Sequence, residues 1–155
     1  LLGLTDAVLT DVTSLDNDGH GISITDCNGV TLTNTIVSGN GWRDEWVCPR
    51  VGVWMNGIPE NAEISYNDVW GNVGGDYGDM DALTGVDGNI SEEPYYCDYF
   101  GDAGYNYSVC ISDPVSPHHQ AGSGGVTIGA FNAVCTGCLS PVEPASWGAI
   151  KAIFR

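Results

Sequence analysis

Four aspartates, Asp76, Asp79, Asp81 and Asp87, crowd a glycine-rich stretch at residues 74–88. Clustered carboxylates and backbone carbonyls suit a hard divalent cation, so this loop is a candidate calcium site. It follows no named calcium motif. An EF-hand loop opening at Asp79 would need Glu at position 90, where Ile90 stands, and a Gly-Gly-x-Gly-x-Asp repeat would need Gly at Tyr77. A solvated acidic loop is the competing reading. His118, His119, Cys135 and Cys138 include a Cys-x-x-Cys half-site for zinc. Adjacent histidines seldom both face one metal, and disulfides are the simpler fate of the two cysteines.

A second constellation lies at residues 41–50, where Trp42, Arg43, Asp44, Trp46 and Arg50 are gathered. Aromatic faces beside polar and charged groups form a sugar-stacking platform, which makes these five the candidate carbohydrate-binding residues. For Trp54 and Trp70 core packing is the expected role instead. Asp16, Asp18 and His20 are superficially similar to the Asp/His motifs of polysaccharide hydrolases, but Asn-Asp-Gly-x-Gly is equally what a tight turn requires. A lyase would need a base beside a cation-bound uronate, and the only basic residues near the strands are Arg43 and Arg50. No catalytic residue is assigned.

The chain carries 4 basic and 20 acidic residues, a net charge of -16. Such a surface repels nucleic acid and anionic lipid, so neither is an expected partner. No apolar run approaches the roughly 18 residues that a membrane-spanning helix needs. The six cysteines, Cys27, Cys48, Cys97, Cys110, Cys135 and Cys138, favour disulfides and an oxidising compartment, extracellular or cell-surface. Sequence alone does not choose the pairing.

The elements that would position these groups are short and repeated. Segments 9–17, 32–40 and 64–72 each open on an aliphatic residue (Leu9, Leu32, Ile64) and end on Asn (Asn17, Asn40, Asn72). Between them a second series aligns 21–26 with 52–57. Alternating apolar and polar residues mark half-buried strands. An antiparallel sandwich would also accommodate short strands at this spacing. The repeat near 23 residues favours a coil in which equivalent residues stack about 4.8 Å apart, with the Asn side chains bonded along the axis.

The ordered series Asn67-Asp-Val-Trp-Gly-Asn, Gly88-Asn-Ile-Ser-Glu-Glu-Pro, Ser116-Pro-His-His-Gln-Ala-Gly and Ile128-Gly-Ala-Phe resembles the last rung and closing region of bacterial right-handed parallel β-helix repeat proteins. One departure is that His118 and His119 stand where the family often has Cys or Ala followed by Ile-Asp. The resemblance implies an all-β right-handed parallel β-helix, secreted or on the cell surface. The expected organisation is β-helix rungs over 1–72 with an inserted loop at 41–50, a Cys-rich closing cap over 73–140, and a tail over 141–155.

In that tail Trp147, Ile150, Ile153 and Phe154 would share one face of a short helix. At the other end Leu1, Leu2 and Leu4 open almost directly into the first rung. An open edge and an apolar tail together predict docking or self-assembly. The leading expectation is therefore a non-catalytic extracellular structural module that could build filaments from copies of itself. The alternative is a carbohydrate-binding or polysaccharide-degrading β-helix. No cofactor is required by either, with calcium the one candidate.

Overall fold

The computed structural model describes residues 1–43, 49–56, 59, 61–98, 106–111 and 115–135. The chain passes three times, in the same order, through three parallel three-stranded sheets. The first rung supplies β1 (Thr5–Thr10), β2 (Thr13–Leu15) and β3 (Ile22–Ile24). The second supplies β4 (Asn28–Thr33), β5 (Ile36–Ser38) and β6 (Val53–Met55), and the third β7 (Glu63–Ser65), β8 (Asp68–Trp70) and β9 (Tyr77–Gly78). The sheets are β1-β4-β7, β2-β5-β8 and β3-β6-β9. Leu9 pairs with Leu32 and Leu32 with Ile64, while Ile22 pairs with Val53, so the repeats read from the sequence are the registers of the structure.

Corners between strands recur as faithfully as the strands. Asp11, Asn34 and Tyr66 hold the first corner of each rung at φ 54°, 51° and 54°. Asp16, Gly39 and Gly71 hold the second at φ 53°, 65° and 65°. Asp and Asn tolerate the left-handed region better than other side chains, and Gly enters it freely. Immediately after the second corner comes the aligned Asn. Asn17 donates from its backbone and side-chain nitrogens to Asn40 Oδ1 at 3.0 and 2.8 Å. Asn40 does the same to Asn72 Oδ1 at 3.0 and 2.9 Å. A second ladder runs from the Thr35 amide to Asn67 Oδ1 and from Asn67 to Asn89 Oδ1. Buried amides are thereby satisfied by their own counterparts.

Alternation along each strand decides which side chains face inward. Ile22, Ile24, Val30, Leu32, Val37, Val53, Met55 and Val69 form the interior. Each fully buried aliphatic side chain there contributes roughly 1.5–3 kcal/mol. The opposite parity of β2-β5-β8 carries a second cluster. Ile36, 1% exposed, packs outside that sheet against Tyr96, Val109 and Ile128.

Residues 87–90 extend the stack, since Ile90 bridges Asp68 and its amide donates to Asn67 O. The described residues that follow clad the outer face of β2-β5-β8. The cladding contains an antiparallel pair, β10 (Tyr96–Asp98) with β11 (Asn106–Val109), and a 3₁₀ turn at Ser123–Gly125. The physical reason is the outward parity of Ile36 and Ser38, which leaves an apolar sheet face that water would otherwise meet. Among the described residues no helix is long and apolar enough to cross a membrane.

Candidate functional site

Two places in the structure gather polar and aromatic side chains, one open and one sealed. The open one lies on the outer face of β3-β6-β9. Val53 and Met55 point inward and are fully buried, so Trp54 between them must point outward, and it is half-buried. Core packing was the expected role of Trp54; strand parity excludes it. In register, Trp54 lies between Ser23 and Gly78. A side chain at Gly78 would come within 3.2 Å of Trp54 Cδ1 and 2.9 Å of Val51 Cγ2, so glycine there leaves the indole its seat. His20 stacks on the indole with ring centroids 5.8 Å apart and planes 24° from parallel.

The Val51 amide donates to His20 Nδ1 at 3.3 Å, which leaves the ring proton on Nε2, available to donate. Burial holds the His20 imidazole below its usual pKa, so the neutral ring prevails. His20, Ser23, Pro49, Trp54 and the exposed Asp79 line an open depression of about 520 Å³. The depression thus combines an aromatic face, a ring N–H donor, a hydroxyl and a carboxylate acceptor.

The sealed constellation joins the cladding to the stack. His118 Nε2 lies 2.7 Å from Asp68 Oδ2, and both side chains are 0% exposed. With the Nε2 proton directed at the carboxylate, Nδ1 faces the Ser116 hydroxyl at 2.8 Å. Asp68 Oδ1 accepts from the Glu92 amide at 2.9 Å. Burial raises the Asp68 carboxyl above the usual carboxylate range, and the hydrogen bond and charge of His118 pull against that rise. A Ser–His–Asp chain is the outline of a hydrolase triad. Ser116 is 2% exposed and His118 and Asp68 are 0% exposed, so the chain is buried and ties the cladding to the stack as a clamp. Nothing in residue spacing pointed to it, because Asp68 and His118 are 50 positions apart.

Of the expected carbohydrate-binding residues, Trp42, Arg43 and Arg50 are described. Trp42 donates from Nε1 to Asp16 O at 2.8 Å, Arg43 pairs with Asp18 at 3.0 Å, and Arg50 Nη1 reaches Gly41 O at 3.3 Å. Asp44, Trp46, Cys48, Cys138 and the tail residues Trp147, Ile150, Ile153 and Phe154 lie outside the described residues. Of the calcium candidates, Asp79 faces the open depression, while Asp76 accepts from Asn72 at 3.3 Å and Ser91 at 2.8 Å. Among the described residues no three His, Cys, Asp or Glu side chains gather as a metal site, so Asp76, Asp79, Asp81 and Asp87 do not meet as a set.

Cys97 and Cys135 form a disulfide, and Cys110 is disulfide-bonded as well. Cys27 is free, against its expected pairing: it immediately precedes β4, on the stack, while Cys97, Cys110 and Cys135 are in the cladding. Leu1, Leu2 and Leu4 are exposed at 40%, 71% and 44%. No family model, curated protein or solved structure matches this chain.

Proposed function

We propose that this chain is part of an extracellular right-handed parallel β-helix protein that binds a neutral glycan on the outer face of β3-β6-β9 without cleaving it. The observation that carries this reading is the outward, half-buried Trp54, stacked on His20 at the floor of the open depression. A sugar ring offers an apolar C–H face to an indole and hydroxyls to the surrounding donors and acceptors. In this reading His20 Nε2–H, the Ser23 hydroxyl and the Asp79 carboxylate, which line the depression, take those hydroxyls. A net charge of -16 opposes uronate polymers and favours uncharged chains. Right-handed connection between parallel strands is the general rule, and the Cys97–Cys135 disulfide fits an oxidising compartment.

The test is a titration of tryptophan emission with neutral oligosaccharides of several linkages, alongside Trp54→Ala and Asp79→Asn. Saturable binding by the parent chain, weakened at least about tenfold in Trp54→Ala, is expected; that loss corresponds to about 1.4 kcal/mol of stacking. Binding to no neutral glycan, or binding indifferent to Trp54, would sink the proposal.

A further inference from the structure

The depression beside Trp54 presents two groups of fixed hydrogen-bond polarity. Nδ1 of His20 is occupied by the Val51 amide at 3.3 Å, so Nε2 carries the ring proton and donates. Val51 is 3% exposed, so water would not replace that acceptor if the ring took its other tautomer. The Asp79 carboxylate accepts and cannot donate. The two groups enter from different rungs. His20 precedes β3 in the first, Asp79 follows β9 in the third, and Trp54 lies in β6 between them. All three line one open depression of about 520 Å³, with Ser23 and Pro49.

A plain hexose has no need of such a pair. Its hydroxyls rotate to donate or accept, and water serves them equally well. A secondary amide matches the lining better. In its planar trans form the C=O and the N–H point in opposite directions, one asking for a donor and the other for an acceptor on the far side. An N-acetyl group also carries a methyl, and Pro49 supplies an apolar ring for it. The group is uncharged, as a chain of net charge -16 requires of a ligand that meets a carboxylate.

We propose that the ligand of this depression is a glycan of 2-acetamido sugars, with the acetamido C=O accepting from His20 Nε2, its N–H donating to Asp79 and its methyl against Pro49. The inference rests on the glycan reading above and names the sugar class. The pyranose ring keeps its place on the Trp54 indole, and the Ser23 hydroxyl serves a ring hydroxyl. His20 and Asp79 are then the residues that set specificity. Val51 is a positioning residue, because its amide fixes the tautomer of His20.

The test titrates tryptophan emission with three tetrasaccharides of one linkage: cellotetraose, tetra-N-acetylchitotetraose and the fully deacetylated form of the latter. The acetylated chain should bind at least about tenfold more tightly than cellotetraose, since a site built for a polar group rejects the analogue without it. Equal binding of these two overturns this inference and leaves the glycan reading standing. Tightest binding of the deacetylated chain, a cation, would show attraction to the acidic surface instead and also overturn it. If neither neutral tetramer binds, this inference fails; the glycan reading falls with it only if the wider linkage series is silent too. Asp79 is exposed with φ 59°, a conformation glycine takes freely, so Asp79→Gly removes the carboxylate without disturbing the fold. That variant should lose at least about fivefold for the acetylated chain and clearly less for cellotetraose. Equal losses for both would refute the pairing of Asp79 with the amide. Nitrogen-15 NMR of the imidazole should show the proton on Nε2 of His20; a proton on Nδ1 would overturn the donor assignment.

Discussion

In the stack each buried aliphatic side chain lies against its own counterparts: Leu32 between Leu9 and Ile64, Val37 between Ser14 and Val69. Among the described residues of the cladding no contact repeats. Ile36 meets Tyr96, Val109 and Ile128, the Tyr96 hydroxyl meets Ser38 at 3.2 Å, and a disulfide and a buried His–Asp pair tie down the rest. The stack satisfies its polar groups with neutral carboxamides, each serving the next. The cladding uses charge-bearing and covalent devices that serve one place only. A repeating surface can be covered by more of itself, but its outer face has no repeat to offer, so specific anchors must hold whatever covers it.

The sharpest way to break this comparison is to remove the covalent anchor. Cys97 and Cys135 are separated by 38 positions, and opening a loop of that size costs about 4 kcal/mol in the chain-entropy picture. In the double variant Cys97→Ala, Cys135→Ala, hydrogen exchange should expose the amides of Cys110 and Ile111 while those of β4 and β5 stay protected. Loss of protection everywhere at once would mean that stack and cladding fold as one unit and that the division is false.

Next in size is the clamp. His118→Ala leaves the Asp68 carboxylate buried without its partner, and breaking such a pair costs about 3 kcal/mol. Because burial raises the Asp68 pKa, its contribution to stability is complete below the ordinary carboxylate range and is lost as pH rises through the raised value. Removing His118 takes away the interaction that opposes this rise. Denaturant titration should therefore show a variant whose deficit is small in acid and grows toward neutral pH. A deficit independent of pH would mean that His118 acts by filling space alone.

What could be read from the residues follows the same division. Leu9, Leu32 and Ile64 with their trailing asparagines announced the three registers, because a stacked repeat must place equal residues at equal corners. Strand parity was equally available for Trp54, whose neighbours Val53 and Met55 are the apolar pair; expecting a tryptophan to be core overrode the alternation. The Asp68–His118 clamp was beyond reach, since it depends on how an irregular segment folds back over 50 positions. The same is true of the depression, where His20, Trp54 and Asp79 come from three different rungs. Acidic spacing in 74–88 did not reveal that Asp76 is engaged in ending the Asn ladder while Asp79 lines the depression.

The smallest effects should come from the ladder itself, and they grade its two positions. Asn40 is 0% exposed; it accepts from Asn17 and donates to Asn72 and to Ser14 O. Asn40→Ala removes the acceptor of the Asn17 backbone and side-chain N–H groups and the donor to Ser14 O at a buried position, while its own backbone amide still reaches Asn72 Oδ1, so a loss of about 2 kcal/mol is expected in urea unfolding. Asn17→Ala removes only side-chain bonds at a wet end, since the backbone amide of residue 17 still reaches Asn40 Oδ1. Its loss should stay below about 1 kcal/mol. If a further rung is added upstream, residue 17 becomes an interior position and its substitution should then cost as much as that of residue 40. Equal costs in the unextended chain would mean that the stack has no end effect, and that burial, not position in the ladder, sets the worth of each asparagine.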